Sequence, residues 1–242
     1  MSTIRVSLLL SAIASLGLGA EPPHAGVRLF NGKNLDGFDT FLKDKGLNND
    51  PDRVFRVYEG MVHVSGTEYG YFVTKKECEN YHLKAEFKWG DATYPPRKDL
   101  ARDSGILFHV VGPHQVWPKS LEFQFIEGRT GEVILVGDDS SLTRDGVTKT
   151  RGETKDTRFA RYGQGPWKGV VGFRSPENEV EKPHGEWNVV ELIADGDRVT
   201  YKVNGKLANE GSGAKPSRGR ILFQSEGAEI FFRNIELLSR GK

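Results

Sequence analysis

The sequence is poor in cysteine, and Cys78 is the single one among 242 residues. One cysteine cannot close an internal disulfide, so a scaffold held together by disulfides is excluded. Cys78 lies between Glu77 and Glu79, whose charges disfavour a thiolate, although Lys75 and Lys76 are close. No pattern of His and Asn marks it as a nucleophile, and we therefore interpret Cys78 as a structural thiol.

The sequence also lacks an excess of charge of either sign. It has 34 basic and 33 acidic residues, for a net charge of +1. This balance gives no electrostatic reason to expect a nucleic-acid partner or binding to an anionic membrane surface.

Long hydrophobic runs are confined to the N-terminus. Arg5 precedes an apolar run from Val6 to about Leu18, and the small residues Gly19 and Ala20 follow. This layout predicts a signal peptide over residues 1–20 that is cleaved after Ala20, and hence a secreted or periplasmic protein. The run is too short and too interrupted by Ser and Gly for a stable membrane anchor, although an uncleaved N-terminal anchor is the alternative. No cysteine lies at the predicted cleavage site, which disfavours a lipoprotein.

Past this segment, no stretch carries the long 3.6-residue apolar stripe of an amphipathic helix. Short runs rich in β-branched and aromatic residues alternate with Gly, Pro, Asp and Asn, which is typical of strands. ADGDR at Ala194–Arg198 and NGK at Asn204–Lys206 predict turns, the first within a hairpin. After a short linker, residues 21–26, we predict a single all-β domain over 27–242, built as a sandwich of two antiparallel sheets.

One long segment interrupts this pattern between Asp138 and Gly185. It has few large apolar residues and is rich in basic ones: Arg144, Lys149, Arg151, Lys155, Arg158 and Arg161. A long excursion from a compact sandwich indicates either a functional rim or a mobile, solvated loop.

The clearest alternation lies in LEFQF. Leu121, Phe123 and Phe125 fall on one face of the predicted strand, while Glu122 and Gln124 fall on the other. One-sided sheets routinely expose such polar residues to water. The pattern therefore leaves two interpretations of the polar face: a wet surface or the floor of a site.

Six segments together resemble a known family in the expected order along nearly all of the predicted mature chain. They are LFNGKNLDGF (29–38), DSGI (103–106), the E-x-Q strand (122–124), GEWN (185–188), NGK (204–206) and ILFQSEG with IFFRNI (221–235). The family is that of the 3-keto-disaccharide hydrolases, also described as 3-keto-glucoside lyases or hydratases. The resemblance implies a concanavalin A-like jelly roll. This chain departs from the common pattern at Asp103, where Asn is frequent, and at His109, where Arg is frequent.

The resemblance implies an enzyme that acts on an oligosaccharide or glycoside with a carbonyl at C3. Such a site needs a base for the proton on C2, a positive group at the C3 oxygen and a proton source for the leaving group. The E-x-Q motif favours Glu122 as the base. His109 is a candidate acid, base or metal ligand, and Lys88 a candidate for stabilising the enolate oxygen.

Further residues are candidates for binding the substrate. Trp117 offers an apolar platform for a sugar face, and Lys119 beside it offers a cation for the C3 oxygen. The others are polar residues on or near predicted strands: Gln124, Asp103, Glu86 and Gln224.

A divalent metal is a candidate cofactor, although the ligand pattern leaves its identity open. His109 and His114 could meet over a catalytic metal across the Val-Gly-Pro turn. Asp50 with Asp52, or Asp195 with Asp197, could hold a structural calcium, although most such pairs are only turns.

Two alternatives stay open on the residues alone. The same fold class serves carbohydrate-binding modules that carry out no chemistry. A conventional glycoside hydrolase on this scaffold would instead use two carboxylates, for which Glu122 and Glu86 are the candidates.

Overall fold

The computed structural model describes residues 26–165, 172 and 174–238. The predicted signal peptide and residues 21–25 of the predicted linker lie outside the described residues. Within them, no helix is long and apolar enough to cross a membrane.

The described part of the chain forms two antiparallel sheets, which confirms the predicted sandwich of concanavalin A-like, jelly-roll type. The ten-stranded sheet has the order β12-β11-β16-β15-β14-β7-β18-β5-β4, with β1 paired to β18, and the eight-stranded sheet has the order β13-β10-β9-β8-β17-β6-β2-β3. A 3₁₀ turn covers Pro176–Asn178. The strands are β1 (Val27–Arg28), β2 (Phe38–Leu42), β3 (Gly46–Leu47), β4 (Phe55–Tyr58), β5 (Met61–Val64), β6 (Gly70–Thr74), β7 (Tyr81–Thr93), β8 (Asp103–Val110), β9 (Ser120–Ile126), β10 (Glu132–Val136), β11 (Ser141–Arg144), β12 (Val147–Thr150), β13 (Arg158–Phe159), β14 (Asn188–Asp195), β15 (Arg198–Val203), β16 (Lys206–Lys215), β17 (Arg220–Ser225) and β18 (Ala228–Leu238).

The core lies between the two sheets, and the alternation of β9 points directly into it. Leu121, Phe123 and Phe125 are fully buried. Phe123 stacks on Tyr201 at 4.2 Å between ring centroids, and Phe125 stacks on Phe87 at 4.6 Å. Tyr201 and Phe87 belong to the ten-stranded sheet, so these rings join the two layers. Each buried ring of this size stabilises the fold by roughly 1.5–3 kcal/mol, which holds β9 rigidly in place.

Both predicted turns are confirmed. Asp195 pairs with Arg198 across the β14–β15 hairpin, where Gly196 has a positive φ. Val203 pairs with Lys206 across the second turn. Asn204 and Gly205 there both have positive φ, as the two central residues of a type I′ turn require.

Part of the long basic segment is built into the sheets. Strands β11 and β12 extend the ten-stranded sheet, and β13 pairs with β10 at the edge of the eight-stranded sheet. The described part of the segment thus borders both sheets. It brings Arg151 and Arg158 beside the polar face of β9.

Candidate functional site

A cavity of about 380 Å³ lies on the outer face of the eight-stranded sheet, on the side away from the core. A volume of this size is within the range of small-ligand sites in proteins. Its polar lining comes from β8, β9, β17 and the segments beside them: Arg97, Asp103, Glu122, Gln124, Arg151, Arg158, Gln224 and Glu226. Its apolar wall is formed by Trp117 and by residues 134–137, which lie in β10 or directly after it.

Strand register explains why these side chains converge. Gly105 of β8 pairs with Gln124 of β9, and Phe223 of β17 pairs with Ile106 of β8. The antiparallel register therefore carries Gln224 to the far side of Gly105. Because side chains alternate along each strand, the polar residues share the outer face while the aromatic residues fill the core.

Gly105 gives these side chains the space they occupy. A Cβ added at this position would lie 2.6 Å from Gln224 Oε1 and 2.9 Å from Glu122 Oε1. Both distances are below ordinary van der Waals contact. The absence of a side chain on β8 thus allows Glu122 and Gln224 to meet over the strand between them.

Glu122 is only 5% exposed, so the polar face of β9 is not a wet surface. Burial, reinforced by the nearby charge of Asp103, raises the pKa of its carboxyl to about 8. The charge of Arg158 and a hydrogen bond from Gln224 oppose that rise without cancelling it. A carboxyl in this environment exchanges its proton near neutral pH.

Two further carboxyls share the cavity with Glu122. Burial and the charge of Glu226 raise the pKa of Asp103 well above its usual range, although Asp103 forms an ion pair with Arg97 and accepts a hydrogen bond from Gln124. The side chain of Glu226 is half-buried, and its carboxyl is the enclosed part. Burial, followed by the charge of Glu122, raises its pKa to about 8. The three groups titrate as one interacting set.

Three guanidinium groups line the cavity with these acids: Arg97, Arg158 and the exposed Arg151, whose Nη1 donates to Thr157 Oγ1 at 3.3 Å. Arg97 pairs with Asp103 through Nη2, and its side chain is 20% exposed. Arg158 Nη1 lies 3.3 Å from Glu132 Oε2, and its side chain is 53% exposed. Arg97 is therefore the best shielded of the three from solvent, and its charge acts most strongly inside the cavity.

Trp117 lines the cavity, as its prediction as a sugar platform requires. It has a φ of 57° and lies 6.1 Å from the ring of Tyr69. Trp117 also packs on a small apolar cluster that includes Leu107 and Leu222 on the same outer sheet face. Beyond it, Tyr71 donates to or accepts from His114 at 3.1 Å.

Lys119 lies at the rim instead of in the cavity. Its side chain packs against Gly137, where a hypothetical Cβ would lie only 2.8 Å from the Cβ of Lys119. Its Nζ is 4.0 Å from Asp139 Oδ2, and it is not among the residues that line the cavity.

His109 does not join Glu122, which corrects the predicted orientation of its side chain. The register of β8 against β17 shifts between Leu107 and Val110, and His109 has a φ of 54°. This bulge turns the imidazole away from the outer face, toward Tyr81 at 5.7 Å between centroids. Its Nδ1 lies 3.0 Å from the carbonyl oxygen of Pro216. Burial lowers the pKa of His109 to about 4.

Lys88 and Glu86 lie on the other sheet, on the outer face of β7. Lys88 Nζ is 4.9 Å from the ring of Phe231. Glu86 accepts hydrogen bonds from Arg233 at 2.7 Å and from Asn234 at 2.8 Å. Neither residue lines the cavity of Glu122, because alternation on β7 sends both away from the core and hence away from the opposite sheet.

The candidate metal ligands are not brought together. Within residues 26–165, 172 and 174–238, no group of three or more His, Cys, Asp and Glu side chains is arranged to hold an ion. His114 is engaged by Tyr71 and by Arg220 Nη1 at 3.0 Å. Asp50 accepts hydrogen bonds from the backbone N–H groups of Val54 and Phe55, which is a structural turn. Asp195 and Asp197 flank Gly196 in the β14–β15 hairpin.

Sequence reasoning missed three parts of this site. Arg97 lies in a loop after β7 with no recognisable motif, and Arg158 was one of many basic residues in the rim segment. Glu226 did carry a signal, because it follows Gln224 at the two-residue spacing of a strand face. Only the position of β17 two strands from β9 shows that Glu226 and Glu122 interact.

Comparison with known proteins agrees with this architecture. Residues 26–238 match the family model of the 3-keto-alpha-glucoside-1,2-lyase-like domain. A search of curated proteins gave no match.

Solved structures of similar fold include two of candidate glycosyl hydrolases from Parabacteroides distasonis, each 20% identical to this chain. One has a TM-score of 0.56 over 88% of this chain and 93% of its own, and the other 0.54 over 89% and 100%. A Bacillus subtilis protein with a galectin-like fold is 11% identical, with a TM-score of 0.51 over 90% of this chain and 97% of its own. These structures support the fold, while the family model spans almost all of the sequence. The chain therefore belongs to the 3-keto-alpha-glucoside-1,2-lyase-like family.

Proposed function

We propose that this protein cleaves 3-keto-glycosides by base-promoted elimination followed by hydration, so that the net reaction is hydrolysis. The observation that carries the proposal is a single cavity in which Glu122 and Glu226, both with pKa values raised to about 8, lie with the guanidinium of Arg97. These groups supply the three functions that the chemistry requires.

The reaction starts at the C2–H bond, which the neighbouring C3 carbonyl makes acidic. A base removes the proton, and the electron pair moves into a C2=C3 enolate with negative charge on the C3 oxygen. Re-formation of the carbonyl expels the C1 substituent with its bonding electrons, leaving a C1=C2 double bond. Water then adds at C1 and a proton returns to C2.

Glu122 is assigned as the base. Its strand is anchored on the other side by Leu121, Phe123 and Phe125, which gives the rigid support that a catalytic group needs. With a pKa of about 8, roughly a tenth of the carboxyl is ionised at pH 7. The ionised form of Glu122 is a stronger base than a carboxylate of ordinary pKa, and a pKa near the working pH favours general acid–base catalysis.

Glu226 is assigned as the proton source for the leaving group. Its raised pKa keeps it protonated at neutral pH, and it lies at the other side of Gln224 from Glu122 on the same sheet face. Gln124 and Gln224 are placed to bind sugar hydroxyls. Trp117 offers its ring to an apolar sugar face.

A second candidate is a conventional two-carboxylate glycosidase, which the presence of two carboxyls in one cavity also favours. Because Glu86 lies on the other sheet, the pair in that case is Glu122 and Glu226. A retaining enzyme needs one carboxylate that stays ionised as the nucleophile, whereas burial raises both pKa values here. This electrostatic environment suits elimination better.

A purely binding module is disfavoured by the same groups. Burying ionisable side chains costs stability, and sugar binding alone requires only neutral hydrogen-bonding groups and an aromatic platform. The cavity instead collects three carboxyls and three guanidinium groups.

The test is incubation with 3-keto-sucrose or 3-keto-trehalose beside the unoxidised sugars, with and without EDTA. We expect turnover of the 3-keto sugars only, and a loss of about 10²–10⁴-fold in Glu122→Gln. Glu210→Gln, the same change at an exposed position of β16, is the matched control. Turnover of unoxidised sugar alone would establish the glycosidase, and binding of either sugar without turnover would establish the module.

We also propose that the protein is exported to a periplasmic or extracellular location after cleavage at Ala20. The support is the N-terminal pattern of Arg5, an apolar run and small residues. N-terminal sequencing of the protein recovered from its native host should begin at Glu21, and an intact Met1 would refute the proposal.

A further inference from the structure

Two buried polar atoms in the cavity have no hydrogen-bond partner among the described residues. They are Arg97 Nε, a donor, and Gln224 Oε1, an acceptor. Gln224 is only 1% exposed, so water does not readily serve it from outside. Buried polar groups are nearly always paired in folded proteins, and unpaired ones that line one cavity point to a ligand that pairs them.

The two atoms together define the chemistry of that ligand. It must present an acceptor oxygen to Arg97 Nε–H and a hydroxyl hydrogen to Gln224 Oε1. A sugar carbonyl with a hydroxyl on the adjacent carbon offers both. An unoxidised sugar has a hydroxyl at C3 instead of a carbonyl, and the oxygen of that hydroxyl cannot take up the negative charge of an enolate.

From this arrangement we infer that Arg97 is a catalytic residue that binds the C3 oxygen of a 3-keto-glycoside through Nε–H and stabilises the enolate. This inference rests on the proposed function and deepens it. In the balanced step, the proton passes from C2 to Glu122 and the electron pair comes to rest on the C3 oxygen. Arg97 stays protonated throughout, because guanidinium does not release its proton in proteins.

Arg97 fits this role better than the other two guanidinium groups in the cavity, those of Arg158 and Arg151. Arg151 is exposed, and its Nη1 donates to Thr157 Oγ1 at 3.3 Å. Arg97 pairs with Asp103 through Nη2, while its Nε–H has no partner among the described residues. Arg158 directs Nη1 to Glu132 and is 53% exposed, so solvent screens its charge. A preorganised donor in a shielded cavity stabilises developing charge far more than one in water.

The position of Arg97 is held by the chain around it. Its Cβ and Cγ pack where a side chain on Gly227 would otherwise lie, at 3.3 and 3.4 Å from the added Cβ. Its backbone N–H donates to the carbonyl of Tyr94 at 2.8 Å. The Asp103 ion pair then orients the guanidinium from the strand β8 side.

The experiment separates enolate formation from cleavage. The probe is 1,5-anhydro-3-keto-glucitol, which has no exocyclic substituent at C1 to be expelled, so removal of the C2 proton is followed as exchange with D₂O. Exchange is followed by ¹H NMR for the wild type, Arg97→Gln and Arg158→Gln. Cleavage of 3-keto-sucrose is measured in parallel for kcat and KM.

We expect Arg97→Gln to lower both the exchange rate and kcat by about 10²–10³-fold, as loss of an oxyanion donor does, with a smaller change in KM. Arg158→Gln should lower the exchange rate clearly less than Arg97→Gln does, because solvent screens its charge. The inference is overturned if Arg97→Gln keeps its exchange rate within tenfold, or if both variants lose it equally. A wild type that neither exchanges the probe nor cleaves 3-keto-sucrose would instead overturn the proposed function.

Loss of Arg97 also leaves Asp103 buried beside Glu226 without its ion-pair partner, which destabilises the folded protein. The double variant Arg97→Gln/Asp103→Asn removes both charges of the pair and so avoids an uncompensated carboxylate. If Arg97→Gln does not fold, proton exchange is measured in the double variant instead. Exchange that is lost in a folded double variant supports the role of Arg97, and retained exchange refutes it.

Discussion

Replacement of Glu122 by Gln should slow catalysis by about 10²–10⁴-fold and, unusually for a buried residue, stabilise the fold. The carboxyl has a pKa of about 8 in the folded protein, against an ordinary value of 4.5. Below pH 4.5 both states hold the proton, and the group costs nothing. As pH rises from 4.5 to 8, the unfolded chain releases a proton that the folded chain keeps. Folding stability therefore falls by up to about 1.4 kcal/mol per pH unit.

Integrated to pH 7, this difference amounts to about 3 kcal/mol, which is an upper bound on what Glu122→Gln recovers. Gln can still accept the hydrogen bond from Gln224. Removing the negative charge also lowers the pKa of Glu226, to which it contributes, and so adds to the gain. We expect a net stabilisation of about 1–3 kcal/mol at pH 7, corresponding to a rise in Tm of roughly 2–10 °C.

The assay is urea unfolding of the wild type and Glu122→Gln at pH 4.5, 7 and 8.5. The gap between the two free energies of unfolding should open with pH, from near zero at the lowest value. Glu210→Gln, at an exposed position, should stay within about 0.5 kcal/mol of the wild type throughout. A gap that does not depend on pH, or a destabilised Glu122→Gln at pH 7, would refute the account of Glu122 as a buried titrating carboxyl.

Three further changes test other parts of the site. The pH profile of kcat/KM should be bell-shaped with a maximum near pH 8, because the rate rises as Glu122 ionises and falls as Glu226 loses its proton. Glu226→Gln should remove the fall at high pH and should slow substrates with poor leaving groups most. An unchanged pH profile in Glu226→Gln would contradict its assignment as the proton source. Gly105→Ala should lower kcat at least tenfold in a folded protein, since the added Cβ would come within 3 Å of both Glu122 and Gln224, and full activity would show that their contact is dispensable. Lys88→Ala should leave kcat and KM within twofold of the wild type, because its Nζ lies over Phe231 on the other sheet, and a large loss of activity would refute this placement.

The sandwich could be predicted because its determinants are local. Alternation at LEFQF, the two turns and the absence of a helical stripe each depend on neighbours along the chain. The buried Leu121, Phe123 and Phe125 and the turns at Gly196 and Gly205 agree with that prediction. Burial of a strand face follows from its period, and a tight turn follows from the residues that tolerate positive φ.

Only those site residues could be predicted whose position follows from the alternation of a single strand. Glu122 and Gln124 follow from the alternation of β9, and Gln224 from that of β17. His109 failed because a single extra residue in β8 reverses the face of a side chain, and no feature of GILFHVV signals that bulge. Lys88 and Glu86 lie apart from Glu122, which alternation could not reveal, because it specifies a face without specifying which of two sheets the strand joins.

The sequence by itself thus determined the fold class, the family and the rigid support behind Glu122. Only the tertiary structure decided that the polar face of β9 is enclosed, that Glu226 lies close enough to interact with it, and that Arg97 arrives from a distant loop. The physical reason is that pairing order and loop approach are long-range properties. Burial and neighbouring charge set the pKa of Glu122, and both come from residues far away in the chain.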